Sequence, residues 1–279
     1  MSMNILAEIA AKTKERIACE KELIPLTEMR NKAEERRRTD EKCGRSAGVN
    51  QTAQTEFPFE RAVAAEGMSF ICEVKKASPS KGIIASEFPY LEIAKEYEQA
   101  GAAAISCLTE PYYFQGSDRY LQEITDTVQI PVLRKDFTVD EYMIYQAKVL
   151  GASAVLLICA ILDDQQLLAY GQLAQELGLS TLVETHSEEE VERALGANAR
   201  MIGGNNRDLK TFQVDISTSE RLRKLVPPEI LFVSESGIRD GEDIRRLREN
   251  GTDAVLIGET LMRAKNKRAV LEQWKPCGK

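Results

Sequence analysis

The strongest constraint on the fold is a junction that recurs along the chain. Ala100-Gly-Ala-Ala-Ala-Ile105, Leu150-Gly-Ala-Ser-Ala-Val155, Leu177-Gly-Leu-Ser-Thr-Leu182, Leu195-Gly-Ala-Asn-Ala-Arg200 and Asn250-Gly-Thr-Asp-Ala-Val255 share one plan. A polar stretch of helical periodicity ends at a glycine, and a short apolar run begins a few residues later. Glycine there permits the left-handed turn that stops a helix. The apolar run has the character of a strand buried on both faces, as in parallel sheet.

Eight such strands are expected, around 70–75, 104–109, 131–135, 154–159, 181–184, 201–205, 231–235 and 254–258. Their spacing of about 20 to 34 residues accommodates one crossover helix each. The helical candidates include Tyr90–Gln99, Asp140–Leu150, Asp163–Leu177, Glu188–Leu195 and Asp240–Glu249. Eight β-α units in series predict an α/β fold, the (β/α)8 TIM barrel. The competing doubly wound open sheet carries a glycine-rich fingerprint after its first strand. Here the first strand runs into Lys75-Lys-Ala-Ser-Pro-Ser80, without G-x-G-x-x-G.

Upstream the texture changes. Residues 3–40 read as one or two charged helices broken near Pro25, and Cys43 to Glu56 as a loop. Too few apolar residues lie there for a separate core. Residues 1–60 are therefore expected to be an N-terminal helical extension packed on a catalytic barrel of residues 61–279.

Charge and cysteine usage narrow the function. A net charge of −7 disfavours general attraction to nucleic acid or anionic membrane. The cluster Arg36-Arg37-Arg38 is flanked by acids and reads as a solvated helix face. The longest apolar run, Ala154–Leu162, falls well short of the roughly 18 residues of a membrane span. The start, Met1 to Glu8, meets an acid before a signal-peptide core can form, so a cytoplasmic protein is expected. None of the six cysteines forms a C-x-x-C pair, and Cys72, Cys107 and Cys159 lie in strand-like runs where a thiol packs as a small hydrophobe. His186 is the single histidine, so no zinc set is visible and neither metal nor cofactor is expected.

Barrel active sites form where strands end, and here those ends are ionisable. They carry Glu73 with Lys75 and Lys76, Glu110, Arg134-Lys135-Asp136, Glu184, Asn205-Asn206-Arg207-Asp208, and Glu235-Ser236. Side chains alternate along a strand. Glu73 and Lys75 thus share a face aimed into the mouth, while Cys72 and Val74 face the helices; Lys135 goes with Leu133 and Glu184 with Leu182. Charges of both signs in a partly dry pocket can keep a proton donor and an acceptor at one pH, which points to acid–base chemistry on an anionic substrate. The last two loops, Ser234-Glu-Ser-Gly-Ile238 and Leu256-Ile-Gly-Glu-Thr260, are glycine-bearing and lead into helices. Loops in that position commonly hold phosphate through backbone N–H groups.

Several ordered blocks resemble the indole-3-glycerol phosphate synthases. They are Glu73-Val-Lys-Lys-Ala-Ser-Pro-Ser-Lys-Gly82, Leu108-Thr-Glu110 with Phe114-Gln-Gly-Ser117, Pro131-Val-Leu-Arg-Lys-Asp-Phe137, Asn205-Asn-Arg-Asp-Leu209, Ser234-Glu-Ser-Gly-Ile238 and Leu256-Ile-Gly-Glu259. The resemblance covers the whole barrel and the N-terminal extension. It implies conversion of 1-(2-carboxyphenylamino)-1-deoxyribulose 5-phosphate to indole-3-glycerol phosphate, with loss of carbon dioxide and water, in tryptophan biosynthesis. It also implies a carbon–carbon lyase without cofactor or metal, acting on a small phosphorylated substrate. Transient contact with neighbouring pathway enzymes is compatible with it.

Residue by residue, the resemblance implies Lys135 as general acid, with Glu184 and Glu73 as further catalytic groups whose division of labour stays open. Lys75 matches an anion-contacting lysine of the catalytic set, and Asn205 a polar group that orients substrate. Ser78 and Arg207 would address the carboxylate or hydroxyls, and Phe114 and Phe137 the anthranilate ring. Ser236, Gly237, Gly258 and Glu259 would cradle phosphate, Glu259 through its backbone N–H. Two positions depart from the family pattern: Gly204 stands where an aliphatic residue usually precedes Asn205, and Thr185 where one follows Glu184. Gly204 is expected to loosen its strand. Two other readings compete. A phosphoribosylanthranilate isomerase would place a cysteine at the end of the first strand and an aspartate near the fifth, where this chain has Glu73/Lys75 and Glu184. A non-catalytic phosphometabolite sensor could use the same fold, but would have no need of Lys135, Glu184, Glu73 and Asn205 together.

Overall fold

The computed structural model describes residues 5–42, 57–208 and 211–278. The expected loop Cys43–Glu56 and the leading residues 1–4 lie outside that set. At the centre is a closed barrel of eight parallel strands. They are β1 Ser69–Val74, β2 Ala104–Leu108, β3 Val132–Lys135, β4 Ala154–Ile158, β5 Ser180–Thr185, β6 Met201–Asn205, β7 Leu231–Glu235 and β8 Ala254–Ile257. Strand β1 closes the ring, setting Ile71 opposite Ala104 of β2 and Ser69 opposite Ala254 of β8. Helices α1 Ile5–Leu23, α2 Leu26–Lys42 and α3 Pro58–Val63 precede the barrel. Helices α4 Tyr90–Gln99, α5 Asp118–Thr127, α6 Glu141–Val149, α7 Asp164–Glu176, α8 Glu188–Gly196, α9 Ser217–Arg223, α10 Gly241–Glu249, α11 Glu259–Arg263 and α12 Lys267–Trp274 surround it.

The junction glycines behave as their sequence context predicts at four of five sites: Gly101, Gly151, Gly178 and Gly251 have φ of 75°, 87°, 72° and 84°. The fifth junction differs. Gly196 is the last residue of α8, and Asn198 takes the left-handed position at φ 58°. Asparagine tolerates that region because its short polar side chain can bond locally.

Alternation along the strands divides the core. Ile71, Leu133, Leu156, Leu182, Val233 and Leu256 fill the barrel interior. Cys72, Val74, Ile105, Val155 and Val255 pack outward under the helices. The described cysteines are all free thiols. Gly204 points outward, where an added Cβ would meet Phe232 Cζ at 2.6 Å and Ser219 Oγ at 3.2 Å. The strand is not loosened there: the Phe232 ring occupies the volume an aliphatic side chain would fill, and the Ser219 hydroxyl donates to the Gly204 carbonyl at 3.1 Å. Thr185, the other departure, is buried and donates its hydroxyl to Gly203 O at 3.0 Å.

The elements before β1 serve the two ends of the barrel. Helix α3 covers the amino end, with Phe59 and Val63 in the interior cluster and Glu60 paired to Arg200 at 2.8 Å. Helix α2 lies along α6; of the three arginines only Arg38, paired with Glu34, stands on a solvated face, while Arg36 is half-buried and pairs with Asp40, which also binds the buried Lys148 at 2.8 Å. Helix α1 reaches the carboxyl end. Its Arg16 donates to the buried Asp136 at 2.9 Å, and Asp136 also accepts from Thr109 Oγ1 at 2.6 Å and from the Phe137 N–H at 2.8 Å. Among the described residues, no helix is long and apolar enough to cross a membrane.

Candidate active site

The carboxyl ends of the strands open into a cavity of about 1030 Å³. Every residue singled out for the site lines it: Glu73, Lys75, Ser78, Phe114, Lys135, Phe137, Glu184, Asn205, Arg207, Ser236, Gly237, Gly258 and Glu259. Strand parity brings them together, since each charged residue is the next inward position above an interior aliphatic: Glu73 above Ile71, Lys135 above Leu133, Glu184 above Leu182 and Glu235 above Val233.

Lys135 is the hub. Its ammonium stands 3.0 Å from Glu184 Oε2 and pairs with Glu235 Oε2. Burial opposes its charge, but the carboxylates of Glu235, Glu184 and Glu73 overcome this and raise its pKa above the ordinary lysine value. Burial likewise opposes ionisation of Glu184, yet Lys135, His186 and the amide of Asn205 hold its carboxyl well below the usual range. Asn205 Nδ2 donates to Glu184 Oε1 at 3.1 Å, and Asn205 Oδ1 accepts from the Arg207 N–H at 3.0 Å. A separate pair, Lys75 with Glu73, lies on the neighbouring wall. An added Cβ at Gly258 would strike both of its members, so that glycine makes their room. The rings of Phe114 and Phe137, 6.1 Å apart and tilted, pack on each other and give the cavity an apolar wall.

Glu235 was not singled out in the sequence, although its place at a strand end was visible. Gly203 leaves its space: a Cβ there would collide with Glu235 Oε1. Burial raises the Glu235 carboxyl, Lys135 lowers it and Glu184 raises it again, which leaves it pushed up to about 7. Its Oε1 is buried without a hydrogen-bond partner among the described residues. The folded protein therefore binds a proton on this carboxyl more tightly than the unfolded chain, where a glutamate titrates near about 4.3. The resulting penalty on folding is absent at low pH, grows as pH rises between those two values, and is complete above the folded pKa. Glu235→Gln should accordingly gain stability over the parent protein more at pH 8 than at pH 5. Urea unfolding at both values checks this, and an equal difference at the two would contradict it.

Three other charged residues at the strand ends spend their side chains outside the cluster. Glu110 is fully buried and accepts the N–H groups of Tyr112, Tyr113 and Phe114 at 2.9, 2.7 and 3.0 Å, fixing the loop that carries Phe114. Arg134 points outward to Asp118 at 2.8 Å, and Asp136 is held by Arg16 and Thr109. Conversely, Leu6 and Ile9 of α1 line the cavity, a contribution that residues so remote in sequence gave no periodic signal for.

The two glycine-bearing loops face the cavity in different ways. Ser236 and Gly237 both have left-handed backbone, at φ 67° and 81°, and Asn206 Nδ2 holds the turn by donating to Ser236 O at 2.9 Å. The start of α10 is not open to an anion as expected, because Asp240 caps it by accepting from Glu242 N and Asp243 N. Helix α11 begins at Gly258 with no side-chain cap. The Glu259 carboxylate turns to Arg263 at 3.1 Å and Lys81 at 3.8 Å.

A family model described as indole-3-glycerol phosphate synthase matches residues 6–274. A protein of that name from Ruminiclostridium cellulolyticum is 53% identical over 267 residues, covering 96% of this chain and 97% of its own. One from Lachnoclostridium phytofermentans is 50% identical over 271 residues, covering 97% and 98%. Among solved structures, 3-hexulose-6-phosphate synthase from Salmonella typhimurium superimposes with a TM-score of 0.63 at 13% identity, covering 75% of this chain and 98% of that one. Thiamine phosphate pyrophosphorylase from Pyrococcus furiosus does so with a TM-score of 0.57 at 17% identity, covering 78% and 96%. At such identities these two speak for the fold alone.

Proposed function

The chain belongs to the indole-3-glycerol phosphate synthase family, and we propose that it closes the indole ring through the cluster centred on Lys135. The family's members are carboxy-lyases of tryptophan biosynthesis that act on a small phosphorylated substrate, and that is the function of this chain. The observation that carries the residue assignment is the position of Lys135 between two buried carboxylates, in the cavity that Phe114 and Phe137 also line.

The anthranilate ring lies against the apolar wall of Phe114 and Phe137, and its carboxylate-bearing carbon attacks the ketone carbon of the sugar. As the carbon–carbon bond forms, the ketone oxygen gains charge and takes a proton from Lys135. An ammonium suits this step because it stabilises the developing oxyanion before transfer and stays fully protonated near neutral pH. The carboxylate departs as carbon dioxide, returning its electron pair to the ring. A carboxylate then removes the proton from the adjacent sugar carbon and passes it through the neutral Lys135 to the new hydroxyl, which leaves as water, and one solvent proton restores the ammonium. Glu184, ionised and held by Asn205, is placed for that removal, with Glu73 as the supporting group.

Lys75 and Arg207 offset the substrate's negative charges, and Ser78 contacts its carboxylate or hydroxyls. Phosphate sits on the backbone of the Ser236–Gly237 turn and of the uncapped start at Gly258 and Glu259, since backbone N–H groups that no side chain has claimed favour an anion. Residues 1–60 act as an extension of the barrel domain 61–279. The free thiols support a cytoplasmic setting. Mixing the protein with 1-(2-carboxyphenylamino)-1-deoxyribulose 5-phosphate should give a rise in indole absorbance that inorganic phosphate inhibits competitively. No rise would refute the activity, and a rise indifferent to phosphate would move the anion site elsewhere.

A further inference from the structure

His186, the only histidine of the chain, has no part in the chemistry above. It follows β5 and precedes Ser187, the N-cap of α8. It does not line the cavity; it stands against Glu184 from outside the cavity lining, with a side chain only 15% exposed. Its ring meets a carboxylate on each side. Nε2 lies 3.3 Å from Glu184 Oε1, an ion-pair approach outside hydrogen-bond geometry. Nδ1 lies 3.1 Å from Glu190 Oε2, and the same oxygen accepts the His186 backbone N–H at 2.7 Å.

Glu190 is itself anchored, its N–H donating to the Ser187 hydroxyl at 3.2 Å. Ring and backbone of His186 are thus tied to one oxygen, which leaves the imidazole little freedom to rotate. Both oxygens of Glu184 are then spoken for: Oε1 by His186 and Asn205, Oε2 by Lys135. Without the ring, Oε1 would keep Asn205 alone and Oε2 Lys135, and the carboxylate would lose one of the three restraints on its last torsion, a soft rotation for glutamate. Resting on the catalytic reading of Glu184, we propose that His186, clamped by Glu190, is a positioning residue that fixes the Glu184 carboxylate from behind the active site.

The electrostatics agree with this geometry. Burial disfavours a charged ring, but the carboxylates of Glu184 and Glu190 outweigh it and push its pKa up to about 10, so it is an imidazolium throughout the working range. The other titratable groups packed around the pair are Lys135 of β3, Glu235 of β7 and Glu73 of β1 on the cavity side. Cys159 after β4 and Arg193 of α8 flank it behind. A cation held against a functional carboxylate sets both its orientation and its basicity, and loss of such an outer partner costs about 10- to 100-fold where it supports a metal ligand.

The test compares His186→Leu, His186→Gln and Glu184→Gln, alone and combined, in steady-state turnover against pH. His186→Leu should lower kcat about 10- to 100-fold and leave KM within about threefold, with the acid limb of kcat moved to higher pH. His186→Gln returns a donor near the place of Nε2 and should recover most of kcat, with the limb still displaced because the charge is gone. In a Glu184→Gln background, His186→Leu should add little, as for residues that act as one unit. A His186→Leu enzyme with kcat within twofold and an unmoved limb would overturn the proposal. So would a loss that His186→Gln fails to recover, since a side chain needed only to start α8 would behave that way. If Glu184→Gln itself turns over normally, the reading of Glu184 fails first, whatever His186 does.

Discussion

Replacing Gly237 by leucine should raise KM at least about tenfold and weaken inhibition by inorganic phosphate in parallel, while kcat falls much less. Two independent costs converge at this residue. Its φ of 81° lies in the left-handed region, where a side chain is strained by roughly 1–2 kcal/mol. An added Cβ would also run into Val214 Cγ1, on the loop that folds back over the mouth and pairs Arg207 with Val214. Neighbouring Ser236 already holds positive φ and depends on Asn206 to keep it, so the turn cannot absorb a second strained residue without moving. A shift of the backbone N–H groups away from the phosphate weakens ground-state and transition-state binding alike, which appears in KM and leaves kcat nearly intact. Initial rates across substrate concentration, with and without added phosphate, check this. Unchanged KM together with unchanged phosphate inhibition would place the anion site away from this loop.

The barrel was legible because its signal is local and repeated. A helix that must stop within one residue takes glycine, and four of the five junction glycines are left-handed for that reason. The floor of the cavity was legible through strand parity, which put Glu73, Lys135 and Glu184 on inward positions before any contact was known. Parity does not say whether a charge meets the cavity or its own loop. Glu110 shows the difference: it sits just past the end of β2, yet three consecutive N–H groups of the following loop take its carboxylate.

Glu235 and His186 were visible as residue types but gave no sign of their partners, for a different reason. Glu235 matters through Lys135, about 100 residues away, and only the closed barrel sets that distance; His186 meets Glu184 two residues back through the turn of the chain from β5 into α8. A lone histidine beside a strand end carries no spacing pattern, so the sequence offered only its residue type. Gly204 was misread because its effect depends on Phe232 from the adjacent strand, which supplies the volume that the glycine lacks. Likewise the cap of Asp240 on α10 was visible as a residue type, but it closes a helix start that had been expected to serve the substrate. Compensation across strands and competition between a cap and a ligand are tertiary facts, and a single sequence does not encode them as a local pattern.

The division between binding and chemistry is tested most directly by Lys135→Met, which keeps the length of the side chain and removes its charge and proton. The residue sits at the end of β3 with Leu133 packed beneath it, so the barrel should remain folded. The variant also relieves Glu235 and Glu184 of their shared cation, and both carboxyls should take up protons more readily. Steady-state turnover and equilibrium binding of the product, measured on the same preparation, give the decisive pair of numbers. The expected result is a fall in kcat of at least about 10²-fold, the scale of a lost positioned general acid, with product affinity within about tenfold of the parent protein. Turnover near the parent rate would contradict the account, because Lys135 would then be a charge at the rim, and so would a joint collapse of affinity and turnover, which would make it a substrate clamp.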